Sequence, residues 1–188
     1  VSFNKKNLIG ETACFVAIRL GYNKIVKNLL DKEVCNLEVK NDLGENLLLY
    51  SLKYKNLQVF EFDKSDKLDL EINNKAGHGI VYYFIKYFNE NKVLQVFSKY
   101  RNVQNFFDKK GNSIFHIAAS LSKNIILKNC EKFYEDKTAF SKINLLGETA
   151  LHKAIIYNNP KALDIFKNLK FIIDLQDFQG RTALMRAC

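Results

Sequence analysis

The chain has 188 residues, of which 47% are hydrophobic and 26% are charged, and its formal net charge is +9. This mixture is typical of a globular chain with enough apolar residues to bury a core, so it excludes an intrinsically disordered protein. Every apolar run is far shorter than the roughly 20 residues that a membrane-spanning helix needs. The composition therefore predicts a folded domain without a membrane span.

A turn glycine recurs along the whole chain at nearly constant spacing. The glycines are Gly10, Gly44, Gly77, Gly111, Gly147 and Gly180, separated by 34, 33, 34, 36 and 33 residues. Glycine adopts positive φ without steric cost, so each one is predicted to mark the tip of a hairpin. A period of this length indicates small units that bury their apolar faces by stacking on one another.

An inner helix is predicted to begin two residues after each glycine. The residues at that position are Thr12, Asn46, Gly79, Ser113, Thr149 and Thr182. Thr, Ser and Asn are favoured N-caps, because the side-chain oxygen accepts a hydrogen bond from a free N–H of the first turn. Small pairs inside these helices, such as Ala118-Ala119, allow neighbouring helices to approach closely.

An outer helix is predicted in each of the first five copies from a second apolar run with helical spacing. The runs are Ile25-Val26 with Leu29-Leu30, Val59-Phe60, Val93 with Val96-Phe97, Ile126-Leu127 with Cys130, and Ala162-Leu163 with Phe166. Asn159-Pro160 predicts the start of the fifth, since Pro is favoured at the first helical position. The polar segment 63–67 is expected to end a short outer helix in the second copy, and the extra residues of the fourth copy lie within 131–142.

The copies resemble the ankyrin repeat, most clearly in Asn144-Leu145-Leu146-Gly147-Glu148-Thr149-Ala150-Leu151-His152-Lys153-Ala154. The resemblance implies an all-α ankyrin-repeat solenoid of stacked helix-turn-helix units with short β-hairpin tips. As a single array, its repeats are predicted at about 7–40, 41–73, 74–107, 108–143 and 144–176, with a truncated repeat at 177–188. Because Cys188 falls within the inner helix of that last repeat, we expect the chain to be part of a longer protein.

Residues that would carry chemistry do not cluster in the sequence. His116 and His152 occupy a position where the family's imidazole bonds the hairpin to the helix, and only His78 lies off that register. We therefore expect a non-catalytic protein with no metal and no cofactor. Cys14 and Cys130 lie at core positions and no Cys-x-x-Cys occurs, so buried thiols in a reducing cytoplasm are expected. The cytoplasm of a host cell is the alternative if the protein is a secreted effector.

The resemblance implies a binding face made of the hairpin tips and the exposed side of the inner helices. The candidate partner-binding residues are Arg19, Lys53, Tyr54, Lys86, Tyr87, Lys109, Lys110, Leu145, Tyr157 and Phe178. Apolar tips beside a basic centre predict a protein partner with an acidic segment. Leu8, Leu145 and Phe178 are expected to be more exposed than Leu43 and Leu146, because a Leu just before the turn glycine is often structural in this family. The alternative interpretation is that the cations and tyrosines form solvated helix faces.

Two other functions remain open at the level of sequence. The net positive charge permits electrostatic binding of nucleic acid or an anionic surface, although the lysines are spread over all repeats and no Arg-rich helix occurs. The repeats are also suited to a targeting arm that selects the substrate of a longer enzyme or of a host-directed microbial effector. The function predicted first is a monomeric, non-catalytic scaffold for protein–protein interaction.

Overall fold

The computed structural model describes residues 3–32, 34–57, 59, 71–99, 103, 106–129, 137–167 and 169–187. Their regular structure is helical, which confirms the all-α fold class. The chain divides into two compact units, Val1–Tyr87 and Phe88–Cys188. The repeat boundaries and the single array stay predictions.

The N-terminal unit is built around a row of inner helices. The helices with described bounds are α1 (Ala13–Arg19), α2 (Asn23–Asp31), α3 (Leu47–Lys53) and α4 (Ile80–Tyr87). Helix α1 packs on α2 as a helix-turn-helix pair, α3 packs on α1, and α4 packs on α3. The core lies between these helices, where Phe15 of α1 meets Tyr50 of α3 edge-on with ring centroids 4.9 Å apart.

The C-terminal unit has an inner and an outer row of helices. Its elements are α5 (Glu90–Lys99), α6 (Ile114–Ser120), α7 (Asn124–Lys128), α8 (Ala150–Ile156), α9 (Pro160–Phe166) and α10 (Lys170–Ile173), with 3₁₀ helices at Lys137–Ser141 and Leu184–Arg186. Helix α6 packs on α8, and α7 packs on both α5 and α9. Phe140 joins the two rows, because its ring contacts Phe115 at 4.6 Å and Phe166 at 5.2 Å between centroids.

The inner helices begin where the sequence predicts. The Oδ1 of Asn46 accepts a hydrogen bond from the N–H of Leu49 at 3.0 Å, and the Oγ1 of Thr149 accepts one from the N–H of His152 at 3.4 Å. Thr12 precedes α1 without a capping hydrogen bond from its side chain. The cap positions therefore locate the helix starts even where the hydroxyl itself is not used.

The hairpin tips are tight turns and not β-strands. All six predicted turn glycines have positive φ, between 73° and 79°. Among the described residues, the expected β-hairpins are reduced to isolated antiparallel bridges, Asn73 with Gly79 and Gln176 with Thr182. The reason is the shortness of the tip, which returns directly into a helix before a ladder of hydrogen bonds can form.

The cysteine prediction is wrong for one pair. Cys14 on α1 and Cys35 after α2 form a disulfide, with Cα atoms 6.2 Å apart and a sequence separation of 21. Sequence spacing does not reveal this proximity, because the turn between α1 and α2 brings the two positions together. The disulfide therefore removes the support that free thiols would give to a reducing compartment.

The structure tests three other expectations only in part. The predicted helix end at 63–67 and Cys130 lie outside the described residues. The extra residues of the fourth copy include the 3₁₀ helix Lys137–Ser141, which the sequence did not predict, and α10 is likewise unpredicted. Within the described part of the chain, each helix is too short or too polar to cross a membrane.

Candidate protein-binding surface

Each hairpin tip is held by the side chain of an Asn or Asp three residues before the turn glycine. The Oδ1 of Asn41 accepts hydrogen bonds from the N–H of Leu43 at 3.0 Å and of Glu45 at 2.9 Å. The same two bonds recur at Asn7, Asn74, Asp108, Asn144 and Asp177. This side chain satisfies the main chain of the turn. Sequence reasoning missed it, although the Asn or Asp recurs in all six copies.

The residues just before the turn glycines form exposed apolar tips. Leu8 is fully exposed, and Leu145 and Phe178 retain 68% and 71% of their accessible surface, which confirms the predicted exposure of these three side chains. Leu43 and Leu146 are less exposed than these three, as predicted, but at 56% and 60% they still belong to the exposed apolar tips. Apolar side chains that project from a rigid turn are suited to contact a partner.

Main-chain hydrogen bonds tie neighbouring tips together within each unit. In the N-terminal unit the N–H of Lys75 donates to the carbonyl oxygen of Leu43 at 3.0 Å. In the C-terminal unit the N–H of Leu145 donates to Lys110 at 3.0 Å, and that of Phe178 donates to Leu146 at 3.1 Å. The tips therefore have fixed spacing, which lowers the entropic cost of binding to them.

Arg19, a predicted contact residue, is engaged by a buried carboxylate of its own repeat. Its Nη2 lies 3.2 Å from the Oε2 of Glu11, which is 4% exposed and follows the first turn glycine. Glu11 also accepts a hydrogen bond from the hydroxyl of Tyr50 in the next repeat. Burial alone raises the pKa of Glu11, but the bonds from Tyr50 and Arg19 outweigh burial, so this pKa lies below its usual value.

The second repeat has the same arrangement of cation, buried glutamate and tyrosine hydroxyl. Lys53 Nζ lies 3.6 Å from Glu45 Oε1, and Glu45 accepts a hydrogen bond from the hydroxyl of Tyr83. The Lys53 ammonium also stands 5.9 Å from the ring centroids of both Tyr50 and Tyr54. The predicted pattern of cation beside aromatic is therefore present, with the cation held in place by a carboxylate.

The third repeat differs, because His78 replaces the glutamate after the turn glycine. The His78 ring stacks on Tyr82 with centroids 3.9 Å apart. Lys86 Nζ lies 5.4 Å from the centroid of Tyr82 and 5.2 Å from that of Tyr87. Burial lowers the pKa of Lys86, but the two phenol rings outweigh burial and the net shift is upward. Lys86 is exposed, and Tyr87 is half-buried.

A groove of about 500 Å³ in the N-terminal unit brings several predicted contact residues together. We call it the N-terminal groove; its lining is Ile9, Glu11, Arg19, Asn41, Asp42, Leu43, Tyr50, Lys53 and Tyr54. The walls combine two exposed apolar tips with two aromatic rings and two cations. The sequence predicted Arg19, Lys53 and Tyr54, and missed Ile9, Leu43 and Tyr50.

The predicted residues of the C-terminal unit fall into two places. Lys109, Lys110, Leu145 and Phe178 lie on exposed turns, and the last three belong to the row of hydrogen-bonded tips. Tyr157 is 56% exposed and follows the last residue of α8. Because α8 starts at its tip and has 7 residues, Tyr157 stands about 10 Å from that tip.

Two histidines are structural, as predicted. The Nδ1 of His116 accepts a hydrogen bond from the N–H of Ser113 at 3.1 Å, so its Nε2 donates to the carbonyl oxygen of Glu148 at 2.8 Å. His152 bonds in the same way to Thr149 and to the carbonyl oxygen of Arg181. Within the described ranges, no three His, Cys, Asp or Glu side chains are grouped as a metal site would require.

Comparison with known proteins finds similarity of fold. No family model matches the chain, and no curated protein matches it in sequence. The ankyrin repeat domain of Bcl-3, a unique member of the IkappaB protein family, aligns with a TM-score of 0.68 and 17% identity over 99% of this chain and 82% of that chain. The fold is ankyrin-like.

A second solved structure shares this ankyrin-like fold. It is the predatory endopeptidase Bd0816 from Bdellovibrio bacteriovorus in complex with the immunity protein Bd3460, in which one chain aligns with a TM-score of 0.69 and 24% identity. The alignment covers 97% of this chain and 92% of that chain. At this level of identity, both similarities describe the fold alone.

Proposed function

We propose that the chain belongs to the ankyrin-repeat proteins and acts as a non-catalytic scaffold that binds a protein partner in the N-terminal groove. The supporting observation is the fixed arrangement of apolar, aromatic and cationic side chains that line this groove. Tyr and Arg side chains are common anchors of protein interfaces. Here Glu11 and Glu45 restrain the two cations, so little side-chain entropy is lost on binding.

The charge of the groove indicates what kind of segment it accepts. Arg19 and Lys53 bring positive charge to the walls, and Glu11 and Asp42 bring an equal negative charge. A nearly neutral groove with the apolar tips Ile9 and Leu43 favours an apolar or aromatic segment of the partner. The acidic segment expected from the sequence would then be recognised outside this groove.

The tips of the C-terminal unit are proposed as a second contact surface. Leu145 and Phe178 offer apolar area, and Lys109 and Lys110 offer positive charge beside it. An acidic partner segment is suited to these lysines, whose main role would be to raise the association rate. Tyr157 stands apart from these tips and is proposed only as a peripheral contact.

The proposal covers two settings for the scaffold. The same surface serves a monomeric adaptor, or the targeting arm of a longer enzyme or microbial effector. Binding of nucleic acid receives less support, because Arg19, Lys53, Lys153, Arg181 and Arg186 are already engaged by carboxylates. The Cys14–Cys35 disulfide favours an oxidising compartment, so the intracellular location expected from the sequence is not carried into this proposal.

The test is affinity enrichment with mass spectrometry, run on the chain and on two variants. Leu43→Ser removes a groove residue that is 56% exposed, and Ile25→Ser removes a comparably exposed residue (48%) of the outer helix α2 in the same unit. We expect Leu43→Ser to reduce recovery of the partner about fivefold or more, and Ile25→Ser to leave it unchanged. Equal recovery with all three proteins would contradict binding in the groove, and recovery of nucleic acid alone would favour the electrostatic function.

A further inference from the structure

The three repeats of the N-terminal unit differ at the residue that follows the turn glycine. In the first two repeats this residue is a buried glutamate, Glu11 or Glu45. Each glutamate forms an ion pair with the cation eight residues later, which is Arg19 in the first repeat and Lys53 in the second. The chain thus neutralises the cation at the end of these two inner helices by itself.

In the third repeat the described residues provide no such internal counter-ion. The residue after Gly77 is His78, and the cation eight residues later is Lys86. Among the described residues, no carboxylate lies within ion-pair distance of Lys86 Nζ. What surrounds the ammonium is aromatic, since the rings of Tyr82 and Tyr87 lie 5.4 and 5.2 Å away.

We propose that Lys86, between Tyr82 and Tyr87, receives a carboxylate side chain of the partner protein, in the role that Glu11 and Glu45 fill for the first two repeats. Lys86 is exposed at the end of α4, on the inner-helix face. A carboxylate is favoured because it is the group that the equivalent cations of this chain bind. A single ammonium also offers no bidentate geometry that would select a phosphate.

The two tyrosines determine how the carboxylate is bound. Their rings hold the ammonium through cation–π contacts, which restrict the lysine before the partner arrives. Both rings are half-buried and exclude some water, so the ion pair is stronger than one between fully solvated side chains. The partner residue is therefore expected to be an Asp or Glu flanked by side chains that pack on Tyr82 or Tyr87.

This inference rests on the proposed binding function, and it predicts a specific order among charge variants. The probe is a fluorescein-labelled hexaglutamate peptide, with binding measured by fluorescence anisotropy at low ionic strength. Lys86→Gln is expected to weaken binding about threefold to tenfold. His78→Glu should weaken binding as much, because it supplies the missing carboxylate within the chain.

Two controls separate this site from general attraction to a basic protein. Lys24→Gln and Lys27→Gln each remove one positive charge from exposed positions of the outer helix α2. Both should bind the probe almost as well as the unchanged protein. Circular dichroism verifies that each variant is folded.

The outcomes distinguish this inference from the proposed function. Unchanged binding by Lys86→Gln, or equal weakening by Lys86→Gln and Lys27→Gln, would overturn the carboxylate site. In that case Leu43→Ser would still reduce recovery of the partner, provided that the partner binds in the groove. The carboxylate site would also be overturned if Lys86→Gln weakened binding of tripolyphosphate but not of hexaglutamate, since the ligand would then be a phosphate. Shifts of the Tyr82 and Tyr87 ring resonances on addition of hexaglutamate would support it.

Discussion

Acidification is expected to destabilise the C-terminal unit through His116, whose side chain is 1% exposed. Its Nδ1 accepts a hydrogen bond from the N–H of Ser113, and its Nε2 donates to the carbonyl oxygen of Glu148. A proton added to Nδ1 would replace the bond from the N–H of Ser113 and leave only the Ser113 hydroxyl, 2.8 Å away, to accept it, and the charged ring would also lose its hydration. Burial lowers the pKa of His116 to about 4.

The magnitude follows from the difference between the folded and unfolded chains. In the unfolded chain a histidine has a pKa of about 6.5. Between these two values the unfolded chain binds the proton and the folded chain does not, so the free energy of unfolding falls as the pH falls. At about 1.4 kcal/mol per pKa unit, the loss is about 2 kcal/mol at about pH 5 and about 3 kcal/mol near pH 4.

Urea unfolding followed by circular dichroism, at about pH 7.5 and about pH 5, measures this loss. The control is His116→Gln, which is expected to be less stable at neutral pH but to lack this dependence on pH. The difference in the free energy of unfolding between the unchanged protein and His116→Gln should shrink by about 2 kcal/mol on acidification. The pKa of Glu148 lies below its usual value despite burial, so this carboxylate stays ionised at about pH 5. A gap that does not change with pH would refute the reasoning.

Two further predictions concern the covalent bond and the main chain. Reduction of the Cys14–Cys35 disulfide, which spans 21 residues, should lower the free energy of unfolding by about 3 kcal/mol. Dithiothreitol should not change the free energy of unfolding of Cys35→Ser. An equal effect on the unchanged protein and on this variant would contradict the disulfide. Gly180→Ala should cost about 1–2 kcal/mol for its positive φ. Gly147→Ala should cost more, because its Cβ would lie 2.5 Å from the main-chain N of Phe178, whereas a Cβ at 180 meets no described atom within 4 Å. Equal shifts of the melting temperature would exclude this steric contribution.

The sequence by itself determined the local features of the chain. Positive φ at the six turn glycines, the helix start after Thr149 and the start of α9 at Pro160 follow from the chemistry of one residue and its neighbours. The apolar spacing likewise placed α2 and α5, because one face of a helix must be buried. These predictions succeeded because their causes act over a few residues.

Only the tertiary structure decided which charges are available for binding. The carboxylate of Glu11 meets Arg19 in its own repeat and the hydroxyl of Tyr50, which is 39 residues away in sequence. The sequence shows the glutamate after the glycine, but its burial depends on how the next repeat packs over it. The Cys14–Cys35 pairing likewise depends on how α2 folds back against α1 within the first repeat. Contacts of this kind depend on the distance between stacked helices, which no local pattern of residues encodes.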